Sequence, residues 1–184
     1  MQGQLILVTG GARSGKSRFA EQVAAASGRE TWYVATMTPL DEELRRRVER
    51  HRARRPPDWV TVEEPFELIG AVRRAPSSAT LLIDCLGLWV SNLLFSFGRH
   101  ESWTPAEWER WVDHCVASAT AVADVLRKRD GLAVVVTNEV GLGIVPGEPL
   151  TRWYRDALGL VNQAFAARAT AVYLLVAGIE VKIR

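Results

Sequence analysis

The chain has 184 residues, 48% of them hydrophobic and 24% charged, with a formal net charge of +2. That length suffices for one domain with a real core, and the composition excludes wholesale disorder and a fibrous repeat. The small net charge gives no ground by itself for a nucleic-acid or membrane partner, and two cysteines, Cys85 and Cys115, form neither a secreted disulfide framework nor a zinc pattern.

The first predicted element is a strand over Leu5 to Thr9, a continuous apolar run. No basic segment, apolar leader or cleavage signal precedes it, so a cytoplasmic location is expected. Gly10-Gly11-Ala12-Arg13-Ser14-Gly15-Lys16-Ser17 follows and fits the Walker A pattern between a strand and a helix predicted over Ser17 to Ala26. Glycines there let several backbone N–H groups converge on phosphate oxygens at a positive helix N-terminus. Lys16 is expected to reach the β and γ phosphates, and Ser17 to bind Mg²⁺ through its hydroxyl.

A second strand is predicted over Thr31 to Ala35, then a helix over Asp41 to Arg54. Residues 41 to 55 hold seven arginines against four acids, a net +3, with the acids in the first turn and the arginines toward the end. Part of that pattern complements the helix dipole. Leu44, Val48 and His51 share the inward face of the helix. The flanking arginines favour a neutral imidazole at His51, which leaves a lone pair for attack. Spacing alone favours a packed or capping histidine at 51 over a functional one; His100 and His114 are read as structural.

Pro56-Pro57 reads as a loop, and a strand is predicted over Leu81 to Asp84. Asp84 at its end is the expected carboxylate for Mg²⁺, since that ion takes oxygen ligands. The apolar stretch from Cys85 to Gly98 carries Ser91 and Asn92 and is shorter than the roughly 20 residues that span a bilayer. Further on come a helix over Pro105 to Arg129, a strand over Ala133 to Asn138, a loop from Gly141 to Pro149, a helix over Leu150 to Ala169 and a strand over Ala171 to Ala177. In the last helix Leu150, Trp153, Ala157, Leu158, Val161 and Phe165 form an apolar stripe read as core, as are most of the seven tryptophans. Alternating strands and helices, with strands apolar throughout, predict an α/β fold with parallel strands covered on both faces, in a single domain over residues 1–184.

These residues resemble the adenosylcobinamide kinase/guanylyltransferase family along nearly the whole chain. The phosphate loop carries part of the resemblance. Tyr33-Val34-Ala35-Thr36, Asp41-Glu42-Glu43-Leu44 leading to His51-Arg52 and Arg55-Pro56, and Trp59 with Thr61 and Glu63 carry more. Asp84-Cys85-Leu86 with Leu88 to Leu94, Thr137 to Gly141 followed by Gly143-Ile144-Val145-Pro146, Arg155-Asp156, Asn162-Gln163 and Val176 to Ile179 complete it. The run from Asn138 to Pro146 is far more particular than the Walker loop. Arg50, where some relatives have a second histidine, and Gly87, often a hydroxyl residue, are departures.

The resemblance implies a RecA-like, P-loop NTPase-type sheet, mainly parallel and flanked by helices. It implies phosphorylation of adenosylcobinamide by ATP or GTP, then guanylyl transfer from GTP to the resulting phosphate, giving adenosylcobinamide-GDP and pyrophosphate. His51 matches the histidine that takes GMP covalently. Nucleotide contacts are implied for Gly10 to Ser17, Ala35, Thr36, Met37, Arg52, Ala53, Arg54, Arg55, Glu63 and Asp84, with Mg²⁺ on Ser17 and Asp84. Glu139 is a candidate participant in the kinase step. The family is homotrimeric; neither nucleic acid nor membrane is expected as partner. From residue chemistry alone, a plain small-molecule kinase and a nucleic-acid-binding ATPase that docks through the arginine-rich helix remain competitors.

Overall fold

A computed structural model describes residues 3–38, 42, 46, 49, 52–53, 55–98 and 102–184. Its centre is built from the continuous apolar runs: β1 (Gln4–Gly10), β2 (Thr31–Ala35), β4 (Thr80–Asp84), β5 (Leu132–Val136) and β6 (Ala171–Val176). Two further strands, β3 (Val60–Glu63) and β7 (Ile179–Lys182), lie outside these runs. The seven strands form one sheet in the order β3-β2-β4-β5-β1-β6-β7. All neighbours are parallel except β7, which runs antiparallel to β6.

Because side chains alternate across a strand, each run supplies both faces of the sheet. Leu5, Leu7, Leu81, Ile83, Ala133 and Val135 enter the larger core. It is covered by α2 (Leu68–Arg74), α3 (Leu86–Ser96), α4 (Pro105–Arg127) and α5 (Pro149–Arg168). Val8, Tyr33, Leu82, Val134 and Val136 face the other way, toward Ala20 and Ala24 of α1 (Lys16–Ala26). Burying each large side chain of this kind stabilises the fold by about 1.5–3 kcal/mol.

The stripe read from the last helix is core: Ala157, Leu158, Val161 and Phe165 are fully buried, with Leu150 and Trp153 packed beside them. Most tryptophans pack as expected, with Trp89, Trp108 and Trp111 buried. Trp108 stacks on Trp153 with ring centres 5.4 Å apart. The exposed His114 meets the Phe97 ring edge-on, with ring centres 5.8 Å apart.

Several predicted boundaries shift. β5 ends at Val136 and β6 at Val176; Ala177 takes a positive φ of 52°, which turns the chain into β7. The apolar stretch after Asp84 is the helix α3. The helix predicted over residues 41–54 lies largely outside the described residues; Glu42, Arg46, Glu49, Arg52 and Ala53 within it are helical.

Two polar devices hold the periphery. Thr104 caps α4 by accepting from the Glu107 backbone N–H at 3.4 Å, and Glu107 Oε2 accepts from the Thr104 N–H at 2.7 Å. Arg129, buried beyond α4, donates to Val72 O at 2.9 Å and Ala75 O at 3.3 Å and also to the Pro76 carbonyl. Among the described residues no helix is long and apolar enough to cross a membrane.

Candidate nucleotide site

In a parallel sheet the C-terminal strand ends open onto one crevice, where ligands of α/β proteins bind. Here that crevice is a cavity of about 320 Å³. The loop from Gly10 to Ser17 enters it from β1. A Cβ on Gly10 would lie 2.5 Å from the Leu175 carbonyl oxygen, so only glycine fits that close approach. Gly15 has a φ of 98°, which an L side chain rarely adopts, just before α1. Gly178 N–H donates to Ser14 O at 2.9 Å and ties the loop to the β6–β7 turn.

Lys16 is buried and donates from Nζ to Gly11 O at 2.6 Å, curled against its own loop. Ser17 lines the cavity beside it. Across the cavity stands Asp84 at the end of β4, whose Oδ2 accepts from the Tyr33 hydroxyl at 2.9 Å. Among the described residues Asp84 has no salt-bridge partner. A serine hydroxyl and an aspartate on one cavity are the hard oxygen donors a divalent cation takes, with phosphate and water completing its shell. Among the described residues no three His, Cys, Asp or Glu side chains converge on a metal position.

The structure brings together most of the expected site. Ala12, Arg13, Lys16 and Ser17 line the cavity from the loop; Ala35, Met37, Arg55, Glu63 and Asp84 line it from other elements. Thr36 lies beneath, fully buried, and its Oγ1 both donates to Cys85 O and accepts from Cys85 N–H at 2.8 Å. It thereby braces the turn after Asp84. Arg52 and Ala53 are exposed and do not line the cavity, while His51 and Arg54 lie outside the described residues. Glu139 is not a lining residue; its Oε1 accepts from Gly141 N–H at 2.5 Å, and its own N–H donates to Gly10 O at 3.0 Å.

Residues with no role assigned from sequence also face the cavity, among them Tyr33, Cys85, Leu88 and Asn138. Tyr33 carries the Arg55 guanidinium 3.5 Å above its ring centre while its hydroxyl holds Asp84. Burial first, and the Asp84 carboxylate second, raise the Tyr33 hydroxyl well above its usual range, so it remains a donor. Burial, with Asp84 beside it, pushes the Cys85 thiol up to about 12, so it is no nucleophile at neutral pH. Both belong to stretches that carry the family resemblance, which was the available signal.

The mainly parallel sheet flanked by helices, the phosphate loop after β1 and the carboxylate at the end of β4 define a protein of the P-loop NTPase type. The family described as "Cobinamide kinase / cobinamide phosphate guanyltransferase" matches residues 6–183, and the chain belongs to that family. The bifunctional adenosylcobalamin biosynthesis protein CobP of Pseudomonas aeruginosa is 41% identical over 179 residues, 97% of this chain and 96% of that protein. CobU of Escherichia coli, named likewise, is 41% identical over 183 residues, covering 98% and 99%. A solved structure from Pyrococcus horikoshii, project PH0250, aligns with a TM-score of 0.52 at 11% identity, covering 98% of this chain and 86% of that one, a likeness of fold.

Proposed function

We propose that this enzyme phosphorylates the aminopropanol hydroxyl of adenosylcobinamide with ATP or GTP. It then transfers GMP from GTP to that phosphate through a GMP-histidine intermediate on His51. The observation that carries the reading is the cavity in which Lys16 and Ser17 of the phosphate loop face Asp84, in a chain of this family.

In the first reaction the acceptor oxygen attacks the γ-phosphorus, the bond to the β-phosphate oxygen breaks, and the nucleoside diphosphate leaves with the electron pair. Loop N–H groups and Lys16 hold the phosphates in line and offset charge that spreads over the transferring oxygens. Ser17 and Asp84 would hold Mg²⁺, which would supply further neutralisation of phosphate charge. In the second reaction an imidazole nitrogen of His51 attacks the α-phosphorus of GTP and pyrophosphate departs. A phosphate oxygen of adenosylcobinamide phosphate then displaces the histidine, giving adenosylcobinamide-GDP; two easier steps replace one difficult transfer. Arg54 and Arg55 neutralise triphosphate, and Arg52, Ala53, Glu63 and Ala35 to Met37 contact the guanine nucleotide. The same reading takes residues 1–184 as a single catalytic domain, working in the cytoplasm as a homo-oligomer, trimeric by family resemblance, without a nucleic-acid or membrane partner.

Incubation with Mg²⁺ and GTP labelled at the α-phosphate, without corrinoid, tests the covalent step. Acid-labile, alkali-stable label on the protein, absent from His51→Ala, is the expected result. GTP-binding protein that takes up no label would leave a kinase only.

A further inference from the structure

Asn138 stands just beyond β5, the strand that separates the phosphate-loop strand β1 from the Asp84 strand β4. It therefore faces the space between the loop and the carboxylate, and it lines the cavity there with Lys16 and Ser17. Its surroundings fix which end of the amide points inward. Cys85 Sγ donates to Asn138 Oδ1 at 3.7 Å. Asn162 Nδ2 donates to the Asn138 backbone carbonyl at 3.0 Å, and Thr137 Oγ1 donates to Asn162 Oδ1 at 2.6 Å, which sets the Asn162 amide in turn. With Oδ1 held from behind, Asn138 Nδ2 carries two N–H groups and meets no acceptor among the described residues.

We propose that Asn138 is a catalytic residue that donates from Nδ2 to an oxygen of the γ-phosphoryl group as it is transferred, and that Cys85 is the positioning residue that keeps the amide in that orientation. The proposal rests on the phosphoryl-transfer reading above and names a group that reading lacked. An amide neither gains nor loses a proton here; the hydroxyl proton passes to solvent, the acceptor O–P bond forms and the P–O bond to the diphosphate breaks. A fixed donor aimed at developing charge in a partly water-excluded site acts more strongly in the transition state than in the ground state. Gly87 packs close to this arrangement: a Cβ there would lie 3.3 Å from Asn138 Oδ1 and 3.3 Å from the Tyr154 hydroxyl.

The full chain carrying Asn138→Ala, Asn138→Asp, Cys85→Ala or Cys85→Ser tests this, with affinities for GDP and for the non-hydrolysable triphosphate analogue GMP-PNP measured beside phosphorylation of cobinamide. Asn138→Ala is expected to bind GDP within about twofold of the parent, to lose about tenfold in GMP-PNP affinity, and to lose about 100-fold in kcat. Asn138→Asp, which sets a carboxylate against the γ-phosphate, is expected to lose more. Cys85→Ala should lower kcat several-fold, with recovery in Cys85→Ser, whose hydroxyl restores the donor. Asn138→Ala with unchanged kcat and GMP-PNP affinity would overturn the proposal, as would equal losses for GDP and GMP-PNP, the mark of a scaffold role. If the parent protein binds both nucleotides yet phosphorylates no cobinamide, the functional reading fails, and the GDP and GMP-PNP pair alone still decides the role of Asn138.

Discussion

Tyr33 joins two groups of the proposed chemistry, since its hydroxyl donates to Asp84 and its ring carries Arg55. Tyr33→Phe removes the first link and keeps the second. The loosened carboxylate should raise the Mg²⁺ concentration for half-maximal cobinamide phosphorylation by about tenfold, as loss of an outer partner of a metal ligand does. A Mg²⁺ titration unchanged from the parent would reject that role. Lys16 and Ser17 could be singled out from a loop set between strand and helix, and Asp84 from the end of an apolar strand, because each signal is local to a few residues; the structure sets all three on one cavity. The Tyr33 contact was not, because it spans 51 positions and follows from β2 pairing with β4 in the register that sets Ala35 against Asp84. Asn138 was hidden for the same reason: its orientation depends on Cys85 and Asn162, which neighbouring elements bring to it.

The central strands could be read from sequence because burial on both faces demands an unbroken apolar run. Elements at the margin obey no such demand. β3 carries Thr61 and Glu63 at the sheet edge, and β7 alternates Ile179-Glu180-Val181-Lys182 with all four exposed, so neither forms an apolar run. α3 escaped for the opposite reason, being apolar nearly all round, which leaves little helical period to detect. α4 starts at Pro105, where the helix was predicted to begin, and the structure adds its cap: Thr104 precedes Pro105 and Glu107 follows at the position that closes a reciprocal pair. Thr104→Ala should lower unfolding stability by about 1 kcal/mol. Urea denaturation is the check, and nucleotide affinity should not move, since this helix start lies outside the cavity.

For the whole molecule, burial sets a common alkaline limit. The Cys115 thiol is pushed from its ordinary value of 9.0 up to about 12 by burial, and the Tyr154 hydroxyl from 10.0 to about 12, chiefly by burial. In the unfolded chain these groups release protons at their ordinary values, while the folded chain holds them. Their stabilisation is thus complete below pH 9.0 and is lost as pH rises toward about 12. The urea midpoint should fall as pH rises from about 9 toward about 12, and less steeply in Cys115→Ala, which removes one such group. Equal slopes in the two proteins would show that Cys115 does not contribute. At the far edge of the sheet, Ile179, Val181 and Ile183 are exposed on the terminal strand and alternate with Glu180, Lys182 and Arg184. An edge of this kind is a template on which a foreign strand can grow, and interleaved charges of both signs make such stacking costly.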